Sequence, residues 1–119
     1  MQDFRKLQVW QKSHQFVLAV YAVTAVFPES ERYGLTSQIR RAAASIPANI
    51  AEGCGRETNS ELRRFLYIAM GSASEVDYHL LLARDLDMVA ATEYQRLLTG
   101  IEEVKRMITG LIQRLNTEN

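Results

Sequence analysis

Apolar residues recur along this chain at steps of three and four, and they alternate nowhere over more than four residues. That period belongs to helices that bury one face, so every element is predicted to be helical. The first helix is read over residues 3–27. Val9, Phe16, Val20, Val23 and Phe27 form one stripe, and Leu7, Trp10, Val17, Leu18 and Tyr21 form a second apolar face roughly opposite. Pro28 ends it, because proline lacks an amide and clashes with the preceding turn. The second helix is read over 35–53, with Leu35, Ile39, Ala43, Ile46 and Ile50 as its stripe. Pro47 should bend it and Gly53 stops it. The third is read over 59–87 and opens with Thr58-x-x-Glu61, a capping box that satisfies free amides of the first turn. Leu62, Leu66, Ala69, Ala73, Val76 and Leu80 face its core side, and Tyr67, Met70, Tyr78, Leu81 and Leu82 sit opposite. The fourth, over 92–116, begins near a second candidate box, Thr92-x-x-Gln95. It carries one stripe: Tyr94, Leu97, Leu98, Ile101, Val104, Ile108, Leu111, Ile112 and Leu115.

Four helices joined by short loops predict an all-α fold, an antiparallel up-down-up-down four-helix bundle, with residues 1–119 forming one domain. A bundle covers one face of each helix. Helices 1 and 3 offer two, so Trp10, Val17, Tyr21, Tyr67, Met70, Tyr78 and Leu81 are candidates for an oligomer interface. The simplest partner is a second copy of the chain.

Fourteen basic residues balance fourteen acidic ones, which removes any global pull on nucleic acid or membrane. The balance is uneven. Residues 32–64 hold six Arg against three Glu, and residues 75–103 hold seven acids against two Arg. Such asymmetry suits self-association or a single basic face. Arg40, Arg41, Arg56, Arg63 and Arg64 are the candidate contacts to a nucleic-acid backbone, with the start of the third helix adding free amides. The competing reading is a solvated face of salt bridges. No aromatic residue is seen to interleave these arginines, so base stacking is not expected. The single cysteine, Cys54, excludes an internal disulfide and suggests a reducing compartment. The N-terminus lacks the apolar core of a secretory signal, and no run approaches the ~18 apolar residues of a membrane span. A cytoplasmic protein without membrane contact is expected.

On the second helix Gln38, Arg41, Ser45, Asn49 and Glu52 fall on one ridge beside the apolar stripe; on the third, Glu61, Ser72, Glu75 and His79 share a flank. If these helices touch, the two sets form a structural polar network that fixes register, with Arg41 free to fork a carboxylate. The same set has a second reading as a ligand or active site, though it offers no poised nucleophile. Glu75 and His79 are the one Glu–His pair at helical spacing, and carboxylate-bundle metal sites need two. No metal, cofactor or catalytic residue is assigned, and the protein is read as non-enzymatic. Gly71-Ser72-Ala73-Ser74 lowers local helix propensity, which points to close approach of a neighbour, inside the bundle or between subunits.

Several segments together resemble one family: Phe4-x-x-Leu7-x-Val9-Trp10, Phe27-Pro28-x-x-Glu31-x-Tyr33-Gly34-Leu35, Gln38-x-Arg40-Arg41-Ala42, Ser45-Ile46-x-x-Asn49-Ile50-Ala51-Glu52-Gly53 and Ile68-Ala69-x-Gly71-Ser72-x-x-Glu75. On them the chain resembles the bacterial four-helix bundle proteins known as 23S rRNA intervening-sequence proteins. The resemblance implies a ring assembly, typically a homopentamer. It also implies kinship with the accessory protein of diversity-generating retroelements, which binds nucleic acid and a reverse transcriptase. The function expected is therefore an oligomeric bundle that contacts RNA or DNA through Arg-rich surfaces. A scaffold for a protein partner is the alternative, and a ligand-binding or enzymatic bundle built on the Arg/Glu/Asn ridge is a third.

Overall fold

The computed structural model describes residues 2–118. Four helices account for nearly all of it: α1 (Gln8–Thr24), α2 (Leu35–Cys54), α3 (Asn59–Asp85) and α4 (Ala91–Glu118). Each packs on its neighbours in chain order, and α1 closes the square against α4. The rod measures 46 × 23 × 20 Å, about the length of its longest helix at ~1.5 Å per residue. This is the predicted bundle.

The core is built by the predicted stripes. Val20, Ile39, Ile46, Ile50, Leu66, Val76, Ile101, Val104 and Ile108 are all fully buried. Each such side chain contributes roughly 1.5–3 kcal/mol on leaving water. α2 packs most extensively on α3. They approach closely at Gly53, where a Cβ would stand 2.9 Å from both Leu62 Cδ1 and Phe65 Cβ. Only glycine fits there.

The ends of the helices differ from the sequence reading for identifiable reasons. The first predicted helix is two pieces. Asp3 accepts a hydrogen bond from the Arg5 amide and caps a short 3-10 turn, Phe4–Lys6. Leu7 is then extended, at φ −80° and ψ 128°, and Gln11 Nε2 donates to the Arg5 carbonyl (2.8 Å). α3 stops at Asp85 rather than residue 87. Asp87 has φ 58°, so the Met88 amide turns back to the Ala83 carbonyl (2.9 Å) and the Asp87 amide to that of Arg84 (3.0 Å). This is a Schellman ending with aspartate where glycine is usual. Thr58 caps α3 as predicted, accepting from the Glu61 amide (3.1 Å). Thr92 falls one residue inside α4, which starts at Ala91. α2 stays helical through Pro47, which is buried.

Candidate functional site

The polar ridge runs along the seam between α2 and α3. Its centre is a bonded cluster: Ser45 Oγ and Ser72 Oγ lie 2.8 Å apart, and Asn49 Nδ2 donates to Ser45 Oγ (2.9 Å) and to the Ser45 carbonyl (2.8 Å). All three are half-buried, so the bonds replace the water these groups give up. The remaining ridge residues lie outside this cluster. Gln38 and Arg41 are exposed, and Glu52 pairs instead with Arg56 (3.0 Å). Among the described residues Glu75 pairs with His79 alone, at 3.7 Å. None of the ion pairs among the described residues includes Arg41. The structure thus joins Ser45, Asn49 and Ser72, and leaves Arg41 without a carboxylate among the described residues.

The five candidate arginines occupy different environments. Arg40 is tied to the bundle: its Nε donates to Thr24 Oγ1 (2.8 Å), its Nη2 to the Tyr21 carbonyl (3.3 Å), and its guanidinium lies 4.5 Å over the Tyr21 ring. Arg63 donates to the Leu115 carbonyl (3.3 Å) and so links α3 to the end of α4. Arg56 and Arg64 meet at the α2–α3 elbow. Their guanidiniums lie 5.0 and 4.6 Å from the same Phe65 ring. The adjacent residues Arg63 and Arg64 therefore serve different sides of α3, as a ~100° step per residue requires. Sequence reasoning overlooked Phe65, which directly follows Arg64. The ring is buried, at 5 % exposure. It can organise two cations but cannot stack on a base.

Three further cations escaped the sequence reading. Lys6, Arg106 and Arg114 are exposed and enter none of the ion pairs among the described residues. Lys6 and Arg114 edge an open groove of about 440 Å³ floored by Val9, Met107 and Leu111. Only tertiary structure brings the two ends of the chain to this place.

The candidate interface residues also divide. Val17 is buried at 8 %, and Trp10 and Met70 are half-buried against the core. Tyr21, Tyr67, Tyr78 and Leu81 are exposed, with Tyr67 at 59 % and Tyr78 at 58 %. Ile68 on α3 and Leu86 just past its end are exposed as well. Trp10 stacks on His14 (centroids 5.0 Å apart, planes 9° apart) and meets Phe4 edge-on.

Other chemistry is sparse. Burial pushes the Cys54 thiol up from its ordinary value, which keeps it protonated and unreactive. His79 is buried and its Nδ1 finds no partner among the described residues. Among the described residues no three His, Cys, Asp or Glu side chains gather closely enough to hold a metal ion. No helix among them is long and apolar enough to cross a membrane.

A family model described as 23S rRNA-intervening sequence protein matches residues 5–110. A solved structure of a protein of unknown function from the S23 ribosomal protein family of Bacteroides thetaiotaomicron is similar at 25 % identity and a TM-score of 0.80. The match covers 87 % of this chain and 97 % of that one. No curated protein matches the chain.

Proposed function

We propose that this chain, which belongs to the 23S rRNA-intervening sequence protein family, is a non-enzymatic bundle that assembles into a homo-oligomeric ring, a pentamer, and contacts RNA or DNA backbone through the arginines of its α2–α3 elbow. The observation that supports assembly is the row of exposed aromatic and aliphatic side chains on α3, with Tyr67 and Tyr78 both more than half exposed. Single exposed apolar residues need no explanation, but several on the outer side of one helix support a partner surface. The nucleic-acid reading is supported by Arg56 and Arg64. The Arg56–Glu52 pair is solvent-exposed on both sides, so it stabilises by at most ~1 kcal/mol, and a phosphate can displace the carboxylate. In a ring the elbow repeats with each subunit and yields a cationic rim that reads charge rather than sequence.

Fluorescence titration against single-stranded RNA and DNA at two salt concentrations tests this reading. Binding should be present at ~50 mM salt and weaken steeply by ~200 mM. The double variant Arg56→Gln/Arg64→Gln should bind more weakly, with a salt slope shallower by about one for each phosphate that is no longer neutralised. Absence of binding at low salt would remove the nucleic-acid half. The protein-scaffold alternative would then stand, and the commitment of Arg40 and Arg63 to intramolecular bonds already supports it.

A further inference from the structure

Gly71 is a helix-interior glycine for which the protomer gives no reason. A Cβ built on it would meet nothing within 4 Å. Glycine there costs roughly 0.5–1 kcal/mol relative to alanine. Nothing inside the bundle offsets that cost, because the small residues that pack within it are its neighbours Ser72, which bonds Ser45, and Ala73, which is fully buried. Gly71 lies instead on the outward line Tyr67, Gly71, Ser74, Tyr78, with Ser74 also exposed. Two projecting aromatics thus flank a shallow saddle.

A second surface has the reciprocal shape. Between α1 and α2 runs an open apolar groove of about 380 Å³, lined by Trp10, His14 and Val17 on one side and Ala44, Ala48 and Ala51 on the other. Along α1 the wall runs from Trp10 to Val17, and the exposed Tyr21 lies one turn beyond it, so the distance from Trp10 to Tyr21 is eleven residues, the same interval as Tyr67 to Tyr78. Each interval is about 16 Å of helix. The charges on the two rims are opposite. Arg41, just under one turn before Ala44, has no ion pair among the described residues. Glu75, one turn after Gly71, is half exposed and forms no ion pair other than that with His79 among the described residues. Within α2 the sign is the same but slight, with Arg40 and Arg41 against Glu52.

We propose that the outer face of α3 in one copy seats in the α1–α2 groove of the next copy. Tyr67 and Tyr78 fill the two ends of the groove, Gly71 comes against Ala48 at its middle, and Glu75 pairs with Arg41 of the neighbouring copy. The inference rests on the assembly reading and adds the partner surfaces to it. The surfaces differ and lie on different sides of the bundle, so the contact is head-to-tail. Such a contact closes into a ring when its rotation permits. It would also assign Arg41 to the interface, leaving Arg56 and Arg64 for the nucleic-acid rim.

Two cysteine variants test the arrangement, Ala48→Cys in one chain and Gly71→Cys in a chain of distinguishable size. Both positions are exposed, so neither change disturbs the core, and native Cys54 is buried. Co-expressed and mildly oxidised, the pair should give a disulfide-linked dimer containing one chain of each size. Either variant alone should give none. Light scattering runs in parallel. An assembled particle that yields no mixed dimer overturns this interface and leaves assembly standing. Cross-linking of either variant with itself shows a two-fold contact and likewise overturns it. A monomeric mass overturns both readings at once.

Discussion

α3 and α4 have nearly the same length, 27 and 28 residues, and pack side by side, yet they use their residues differently. α4 buries Leu97, Ile101, Val104, Ile108, Leu111, Ile112 and Leu115 and contributes none of the large exposed hydrophobics among the described residues. Its outer side carries Gln95, Thr99, Glu102, Arg106 and Gln113. α3 buries an equally complete stripe and still presents Tyr67, Ile68, Tyr78 and Leu81 to solvent. One bundle therefore accounts for the large apolar residues of α4 and for only one of the two apolar faces of α3. An apolar second face is informative where a helix of the same bundle, under the same solvent, has none.

The sharpest way to probe that contrast is to compare core and outer substitutions. Ile101→Ala or Ile108→Ala on α4, and Leu66→Ala on α3, should each lose ~2–5 kcal/mol in urea unfolding, because all three side chains are fully buried. On the outer faces the helices should part company. Tyr78→Glu should keep full helical circular dichroism and raise the dissociation constant of the assembly by ~30-fold or more, since a central aromatic at an interface contributes ~2 kcal/mol or more. Gln113→Glu on α4, also at an exposed position, should change neither. Sedimentation at several protein concentrations distinguishes these outcomes.

Smaller effects refine the picture at the seam and the saddle. Ser45→Ala or Ser72→Ala should each cost about 1 kcal/mol by denaturant titration, and the double variant should cost clearly less than the two combined, because both single changes remove the same Ser45–Ser72 bond. Gly71→Ala should act in opposite directions on the two levels. It should stabilise the isolated protomer by ~0.5–1 kcal/mol and weaken the assembly. A Gly71→Ala variant that assembles as well as the parent would show that the saddle is not a contact.

The periodic stripes made the bundle legible in the sequence, since a buried helix face leaves a mark in every turn. The capping threonine of α3 was legible for the same local reason. Helix ends were less so. Leu7 breaks the first helix through backbone bonds that no residue type announces, and Asp87 adopts the left-handed conformation that usually selects glycine. In the ridge, spacing along one helix correctly placed Ser45 and Asn49 on a shared line. Which residue of α3 they meet depends on the register of two helices, and that register brings Ser72 within 2.8 Å while Glu75 stays with His79. The arginines were hardest to read. Arg40 looks available until α1 supplies Thr24 and Tyr21, and Arg63 until the far end of α4 supplies Leu115. Charge is visible in a sequence, but whether a charge is already satisfied is decided by residues distant along the chain.

The proposed assembly would cover the exposed half of α3, and the mass of the particle in solution tests that most directly. Light scattering across the micromolar range should give a multiple of 13.6 kDa, five-fold for the pentamer, and Tyr78→Glu should shift it toward a single 13.6 kDa chain without loss of helix. A parent protein that scatters as one 13.6 kDa chain throughout that range would contradict it.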